Sequence, residues 1–368
     1  MKNFGARPAV LNVSPAELSA CDGAASFLQS GFWGSFKARF GWEPHPFLVD
    51  WGTGPAKPLL VIRRRLGPGL SFAYVPWGPE LPEGFPAGLE TAADGSARSP
   101  LLAELAASLR KKLPRSTAFI RFDPPWYTPG AEAGPPVLDR PLRRAPADIQ
   151  PPDTVIIDLK GDGESLLMDM KPKCRYNIRL ADRKGMLVQQ LDEQGLDVFY
   201  ALLGETARRD GIAIHSQDYY RALFERCRNY PGGGQEARLY LASHNGDPAA
   251  AIFTLFRGDE AVYLYGASSD RNRNLMAPYL LQWRAMTDAK AAGCRFYDLF
   301  GIPPTEDPGH PMAGLYRFKT GFGGRIIHRP GSWDLAYRPL ATGLFRAAES
   351  FRKSLRNEKK LRRNRKNP

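Results

Sequence analysis

The sequence predicts an α+β protein built as two folded halves, and three observations carry that prediction. Its 368 residues are about twice the length of an ordinary single domain. Apolar residues at 43% and charged residues at 24% match ordinary globular usage, which excludes wholesale disorder. Nine prolines fall within the 29 residues from Pro124 to Pro152, including Pro124-Pro125, Pro135-Pro136 and Pro151-Pro152. Proline fixes φ and removes a backbone donor, so this stretch suits neither a central strand nor a long helix. It reads as a linker or a stiff wall between the halves.

In the first half, Phe32, Trp33, Phe36 and Phe40 have helical spacing. Strand-like runs follow at Phe47–Val49, Leu59–Ile62 and Phe72–Val75. A helix at Pro100–Lys112 leads into a strand at Ala118–Phe122. The second half repeats the plan. Thr154–Asp158 is a strand, and Lys173–Lys184 is a basic helix ended by Gly185, which suits a left-handed C-cap. Leu196–Arg209 and Tyr219–Cys227 read as helices. Strands at Arg238–Ser243, Ala249–Phe256 and Ala261–Tyr265 are joined by the hairpin pairs Asn245-Gly246 and Gly258-Asp259. The helix Ala277–Ala292 carries a stripe of Leu281, Ala285, Ala289 and Ala292, and the strand Arg295–Phe300 closes the set. Helices, an antiparallel meander, then a helix and a strand is the order of an N-acetyltransferase-like (GNAT) α+β domain.

Several function classes fall away on composition. No run approaches 18 consecutive apolar residues, so no membrane-spanning helix is expected. The opening Met1–Gly5 lacks the features of a secretory signal, and Cys21, Cys174, Cys227 and Cys294 are scattered. A reducing cytoplasmic setting without metal or other cofactor is the expectation. The formal charge of +13 is concentrated at the end of the chain: Arg346–Pro368 holds ten basic and two acidic residues, a net +8. Anionic lipid, RNA and solubility all account for such a tail.

Four segments could carry chemistry. Lys171–Lys184 holds six basic residues in fourteen, with Arg175 and Arg179 on one helical face. It reads either as a phosphate- or RNA-binding stripe with Tyr176 for stacking, or as a solvated amphipathic helix. Ser268–Asn274, before the helix at Ala277, has none of the glycines that cradle a pyrophosphate in acetyltransferases, which argues against acetyl-CoA. Lys319, among aromatics and glycines in Tyr316–Gly324, either stabilises an oxyanion or snorkels from a surface turn. Asp123, at a strand end before Pro124-Pro125, is a candidate general base or a turn initiator. At the C-terminus, Leu344, Ala348, Phe351 and Leu355 share one helical side before an almost purely basic run, the pattern of a peripheral membrane or RNA contact or of a solubilising tail.

Taken in order, these segments resemble the FemABX family of peptidoglycan interpeptide-bridge aminoacyltransferases. The resemblance lies in Phe27-Leu28-Gln29-Ser30 with Trp33 and Lys37, in Arg121-Phe122-Asp123-Pro124, and in Lys171-Pro172-Lys173 with Arg175–Arg179. It continues through Arg209-Asp210-Gly211, Ala277–Trp283, Tyr297–Ile302 and Arg317–Gly324, covering about residues 25–335. The resemblance implies two GNAT-like domains in tandem. The first covers 1–150 and is completed by about 331–345, the second covers 153–330, and 346–368 is a basic tail. Leu187–Tyr219 is too short for the helical hairpin that some members insert, so the compact type without a coiled-coil arm is expected.

The resemblance further implies an aminoacyl-tRNA donor and, as acceptor, the stem-peptide amine of a peptidoglycan precursor. Carried over by position, Lys319 would stabilise the transition state and Asp123 is the candidate base. Lys37 would contact the precursor's diphosphate, with Tyr219 and Tyr265 lining the same channel. Lys171, Lys173, Arg175 and Arg179 would meet tRNA or phosphate. Compact members have a phosphate-binding arginine four residues before Tyr219, where this chain has His215. A mostly neutral imidazole binds phosphate more weakly, which leaves the acceptor open between UDP-linked and lipid-linked muramyl pentapeptide. A cytoplasmic location follows, with peripheral contact at the inner face of an anionic membrane through the tail. Removing 346–368 is then expected to spare folding. Two other readings stand beside this one. One is a GNAT-like acyltransferase with another donor acting on a polysaccharide or lipid. The other is a non-enzymatic RNA- or membrane-binding protein.

Overall fold

A computed structural model of the chain describes residues 9–81, 98–127 and 137–366, with side chains of the last helix described as far as Leu355. The chain divides into two compact units. One comprises the residues up to Pro152 together with those from His328 onward, and the other is Asp153–Ile327.

The first unit is a seven-stranded sheet. Strands β1 (Asn12–Pro15), β2 (Trp42–Asp50), β3 (Lys57–Gly67) and β4 (Leu70–Val75) form an antiparallel run. Helix α1 (Gly31–Ala38) lies between β1 and β2, its Ser30 hydroxyl capping the Trp33 N–H. Helix α2 (Arg98–Arg110) then crosses over to β5 (Thr117–Phe122), which lies parallel to β4. The sheet is completed by β14 (Trp333–Ala336), antiparallel to β5, with the short β6 (Arg143–Arg144) outside it. Leu59, Leu60, Val61 and Ile62 are a continuous apolar run because β3 is buried on both faces. Leu59 and Val61 pack with Leu102, Leu105 and Leu109 of α2, and Leu60 and Ile62 pack with Trp42, Tyr74 and Phe119.

Strand β2 contains Pro44 and Pro46 yet lies inside the sheet. The Pro46 carbonyl accepts from Ala16, just past the end of β1, so the missing N–H on that side breaks no ladder bond.

The second unit repeats the plan. Strand β7 (Asp153–Asp158) is followed by α3 (Gly163–Asp169), α4 (Pro172–Arg183), β8 (Leu187–Leu191), α5 (Leu196–Asp210) and α6 (Gln217–Asn229). Strands β9 (Gln235–His244), β10 (Asp247–Arg257) and β11 (Glu260–Ser268) continue an antiparallel run from β8. Helix α7 (Ala277–Ala291) crosses over to β12 (Phe296–Asp298), parallel to β11, and β7 pairs antiparallel on its other side. Helix α8 (Ala313–Thr320) and edge strand β13 (Arg325–His328) follow. Leu281, Ala285 and Ala289 of α7 are buried in one cluster with Ile178 and Ala181 of α4 and Ala250 and Ile252 of β10. The expected fourth stripe residue, Ala292, is exposed as the C-cap. Two GNAT-like α+β units in tandem are therefore present. Between β8 and β9 stand only α5 and α6, of 15 and 13 residues, so there is no coiled-coil arm.

Of the two readings of the proline-rich segment, the wall fits its described part: Leu138, Leu142 and Ala145 are buried in the first unit, while residues 128–136 lie outside the described residues. Two expectations need correction. Helices α3 and α8 and strand β8 were not expected as elements.

The second correction concerns the tail. Helix α9 (Pro339–Lys366) passes through position 346 without a break. Its spacing of four places Ala341, Phe345, Glu349 and Lys353 on one inward face. Phe345 packs on Phe72 and Phe119, and Arg121 grips Glu349 and Asp334 with a two-bond fork to each. Arg346 also donates to Asp334 (2.7 Å), and Lys353 donates to the Pro146 carbonyl (2.7 Å). Residues 346–353 thus pack against the folded unit, so their removal is expected to destabilise it.

Candidate functional site

In the second unit, the end of β12 and the last turn of α8 bring together a small polar centre. Asp298 is fully buried, and one of its oxygens accepts the Thr154 hydroxyl and the Phe300 N–H (2.7 Å). That local hydrogen bond turns the chain sharply after β12, with Phe300 at φ +56°. The strand expected to run to Phe300 therefore ends at Asp298. The turn aims the Phe300 and Gly301 carbonyls at Lys319, whose Nζ donates to them at 3.2 and 2.9 Å. Nζ also lies 5.0 Å from the centre of the Tyr263 ring.

Lys319 is only 6% exposed, so it does not snorkel from a surface turn. Burial lowers its pKa from 10.5 to about 7, against the opposing pull of Asp298. An ammonium has three hydrogens. Two are directed at carbonyls, which leaves a third for a developing negative charge.

The glycines after Lys319 are required by close packing. Gly323 and Gly324 both have φ +81°, and a Cβ would come within 2.7 Å of the Asp169 carbonyl and 2.5 Å of the Ile156 carbonyl. Lys171 N–H bonds the Gly321 carbonyl at 2.9 Å, tying this turn to the start of α4.

The tyrosines form a second group. The Tyr219 and Tyr265 hydroxyls are hydrogen-bonded to each other, and burial raises the Tyr219 pKa to about 12. Tyr220 packs edge-on to Tyr265 with ring centres 5.0 Å apart, and the exposed His215 stacks on Tyr219 at 3.9 Å. A bulge between the pairs Phe253–Tyr265 and Thr254–Tyr263 separates the two tyrosines of β11. Tyr265 joins Phe253 and Tyr220, while Tyr263 packs against the core beside Lys319. Plain alternation would have put both on one face, so Tyr263 was not singled out. Asp298 and Thr154 were also missed. Their signal was a carboxylate at a strand end followed by Leu-Phe-Gly.

The basic helix divides by role. Lys171, Lys173 and Arg179 are exposed, and so is Tyr176 at 56%. Arg175 turns back and donates to the carbonyls of Leu167, Met168 and Met170, capping the end of α3. All three bonds come from its Nη1.

The remaining candidates belong to the first unit. Lys37 sits in the last turn of α1, 5.5 Å from the Trp33 ring and 5.7 Å from Trp42. Burial and then Arg64 lower its pKa to about 8. Asp123 is buried and accepts from the hydroxyls of Tyr74 and Ser332 and from the Gln150 N–H (3.2 Å). Burial raises its pKa to about 6 in spite of these donors. The four cysteines are free and buried, and no cluster that could hold a metal exists among the described residues.

The sequence model of the FemAB family matches residues 141–247 and 234–350, more than half of the chain. The chain belongs to the FemAB family. Two relatives are lipid II:glycine glycyltransferases. The one from Staphylococcus saprophyticus is 22% identical over 272 residues, covering 57% of this chain and 64% of the relative. The one from Staphylococcus aureus is 21% identical over 248 residues, covering 50% of this chain and 59% of the relative. The matches thus span about three-fifths of the curated relatives' length. The crystal structure of FemX superposes with a TM-score of 0.72 at 17% identity, covering 91% of this chain and all of FemX. That likeness establishes the fold of this FemAB member.

Proposed function

We propose that this FemAB protein is an aminoacyltransferase that moves an amino acid from aminoacyl-tRNA to the stem-peptide amine of a peptidoglycan precursor. The observation that carries the reading is Lys319, a buried lysine whose Nζ is held at a fixed turn by the Phe300 and Gly301 carbonyls, in a chain whose relatives are glycyltransferases. The ester linking an amino acid to tRNA is already activated, so the protein has to orient the amine, accept its proton and stabilise the oxyanion. The amine attacks the ester carbonyl and a C–N bond forms. The tetrahedral oxyanion faces the Lys319 ammonium, the ester C–O bond breaks, and the departing ribose hydroxyl takes up a proton.

In this proposal Asp123 is the base. With a pKa near 6 it is mostly carboxylate at neutral pH, and an incoming amine would displace one of its three donors. Lys37, His215, Tyr219 and Tyr265 bind the precursor, and Lys171, Lys173 and Arg179 meet the tRNA backbone. Arg175 contributes to that surface by holding the end of α3.

The test is incorporation of labelled amino acid into UDP-linked and lipid-linked muramyl pentapeptide with charged tRNA. Incorporation that survives RNase treatment removes tRNA from the proposal. Incorporation supported by an acyl thioester in place of charged tRNA would point to the other donor class. Lys319→Ala should lower kcat by about two orders of magnitude or more with KM little changed, the signature of a lost oxyanion donor. A tenfold rise in KM with kcat unchanged would make Lys319 a ground-state ligand.

A further inference from the structure

Helix α9 is amphipathic in the unusual sense. Its inward face is mixed: Phe345 packs on Phe72 and Phe119, Arg346 and Glu349 are bonded to Asp334 and Arg121, and Lys353 to a backbone carbonyl. Its outward face is apolar. Leu340, Leu344, Phe351 and Leu355 are 88%, 75%, 66% and 41% exposed. At about 100° per residue these four and Ala347 fall within roughly 80° of arc, a single stripe along the helix. Exposed leucines scattered singly need no explanation, but an aligned stripe on a helix whose polar side is already used does. Directly after the stripe, residues 356–368 hold seven Lys or Arg and one Glu, a net +6.

We infer that the outward face of α9 is a docking surface for an anionic lipid bilayer, with the stripe entering the acyl boundary and the basic run lying among the headgroups. Charge and apolarity together select this occupant. RNA would satisfy the basic run but offers no apolar partner to four aligned side chains. A second copy of the chain would cover the stripe, yet it brings another +6 run into the same assembly. An anionic leaflet supplies an apolar layer under a negative surface, which matches both features of the helix. No helix among the described residues is long and apolar enough to cross a membrane, so the contact is peripheral. The inference does not depend on the proposed chemistry. If that chemistry is right, it would bring the enzyme to the surface where a lipid-linked precursor is presented.

The test is co-sedimentation of the full chain with vesicles of phosphatidylcholine alone and of phosphatidylcholine mixed with phosphatidylglycerol. Binding should be at least about tenfold stronger to the mixed vesicles and should weaken with salt. Leu344→Glu with Phe351→Glu should lower that binding by roughly tenfold or more while the melting temperature is kept, because both side chains point away from the fold. Unchanged vesicle binding by the double variant overturns the inference. So does a wild-type dimer that the variant converts to monomer, which assigns the stripe to a second copy. Loss of tRNA binding with vesicle binding intact assigns the surface to RNA and overturns it equally.

Discussion

Lys319→Met should stabilise this protein at neutral pH while abolishing turnover. In the unfolded chain the lysine titrates near 10.5, whereas burial brings it to about 7 in the fold. Between those values the unfolded state holds a proton that the folded state has shed. Stability therefore rises with pH across that window. At about 1.4 kcal/mol per pH unit, the folded state at pH 7 gives up roughly 4 kcal/mol to the buried ammonium, a cost that vanishes towards pH 10.5. Methionine removes the cost and keeps most of the volume. It also forfeits the two hydrogen bonds to the Phe300 and Gly301 carbonyls, about 1 kcal/mol each. Asp298 keeps its Thr154 and Phe300 donors. The net expectation is a gain of about 2 kcal/mol at pH 7 that turns into a loss of about 1 kcal/mol near pH 10. Urea denaturation of both proteins at the two pH values measures it. An equal destabilisation at both would refute the claim that a charged lysine is held in the fold at a cost.

Asp298→Asn removes the charge that opposes the fall of the Lys319 pKa, so the alkaline limb of kcat should move to lower pH; an unmoved limb separates the two groups. Gly324→Ala should cost about 2–4 kcal/mol in urea titration, because φ +81° is strained for alanine and its Cβ would meet the Ile156 carbonyl. Asp334→Ala should cost about 3–5 kcal/mol, since it leaves Arg121 and Arg346 without their shared carboxylate. Glu349→Gln, at the more open end of the same network, should cost about 1 kcal/mol by the same measurement.

Much of the fold was legible because local signals agree with burial. The turn pairs Asn245-Gly246 and Gly258-Asp259 set the β9–β10–β11 meander, and Gly185 closes α4 at φ +75°. The short elements were not legible. Helix α3 has one buried residue, Leu166, and strand β8 has none, so neither carries an apolar period. Lys319 stood out in the sequence by its aromatic and glycine neighbours. Its partners did not, because they are two backbone carbonyls and a tyrosine displaced by a bulge. Arg175 has a structural contact that the sequence did not show. Charge density marked it as a phosphate ligand, and nothing in the sequence signalled that its Nη1 also caps the carbonyls that end α3.

The position of β14 in the first sheet explains why the end of the chain cannot be a dispensable tail. Trp333–Ala336 lies between β5 and β6, so it is an interior strand with a partner on each side. Without it, the outer edge of β5 would face water with its ladder groups unpaired, and Arg121 would lose both carboxylates of its forks, Asp334 on β14 and Glu349 on α9. Asp123, at the end of β5, would lose the Ser332 hydroxyl that precedes β14. The first unit therefore reaches its native form only after residues beyond the second unit have been made. The buried cluster of charge around Arg121 works as a lock on that late arrival. It is satisfied only when β14 and α9 are in register, since a one-residue slip of β14 would turn Asp334 to the other face of the sheet. Helix α9 closes the sheet with a mixed face, Phe345 on Phe72 and Phe119 and then Arg346 and Glu349 in the charge cluster, so its second apolar row, Leu344 and Phe351, is left to face outward.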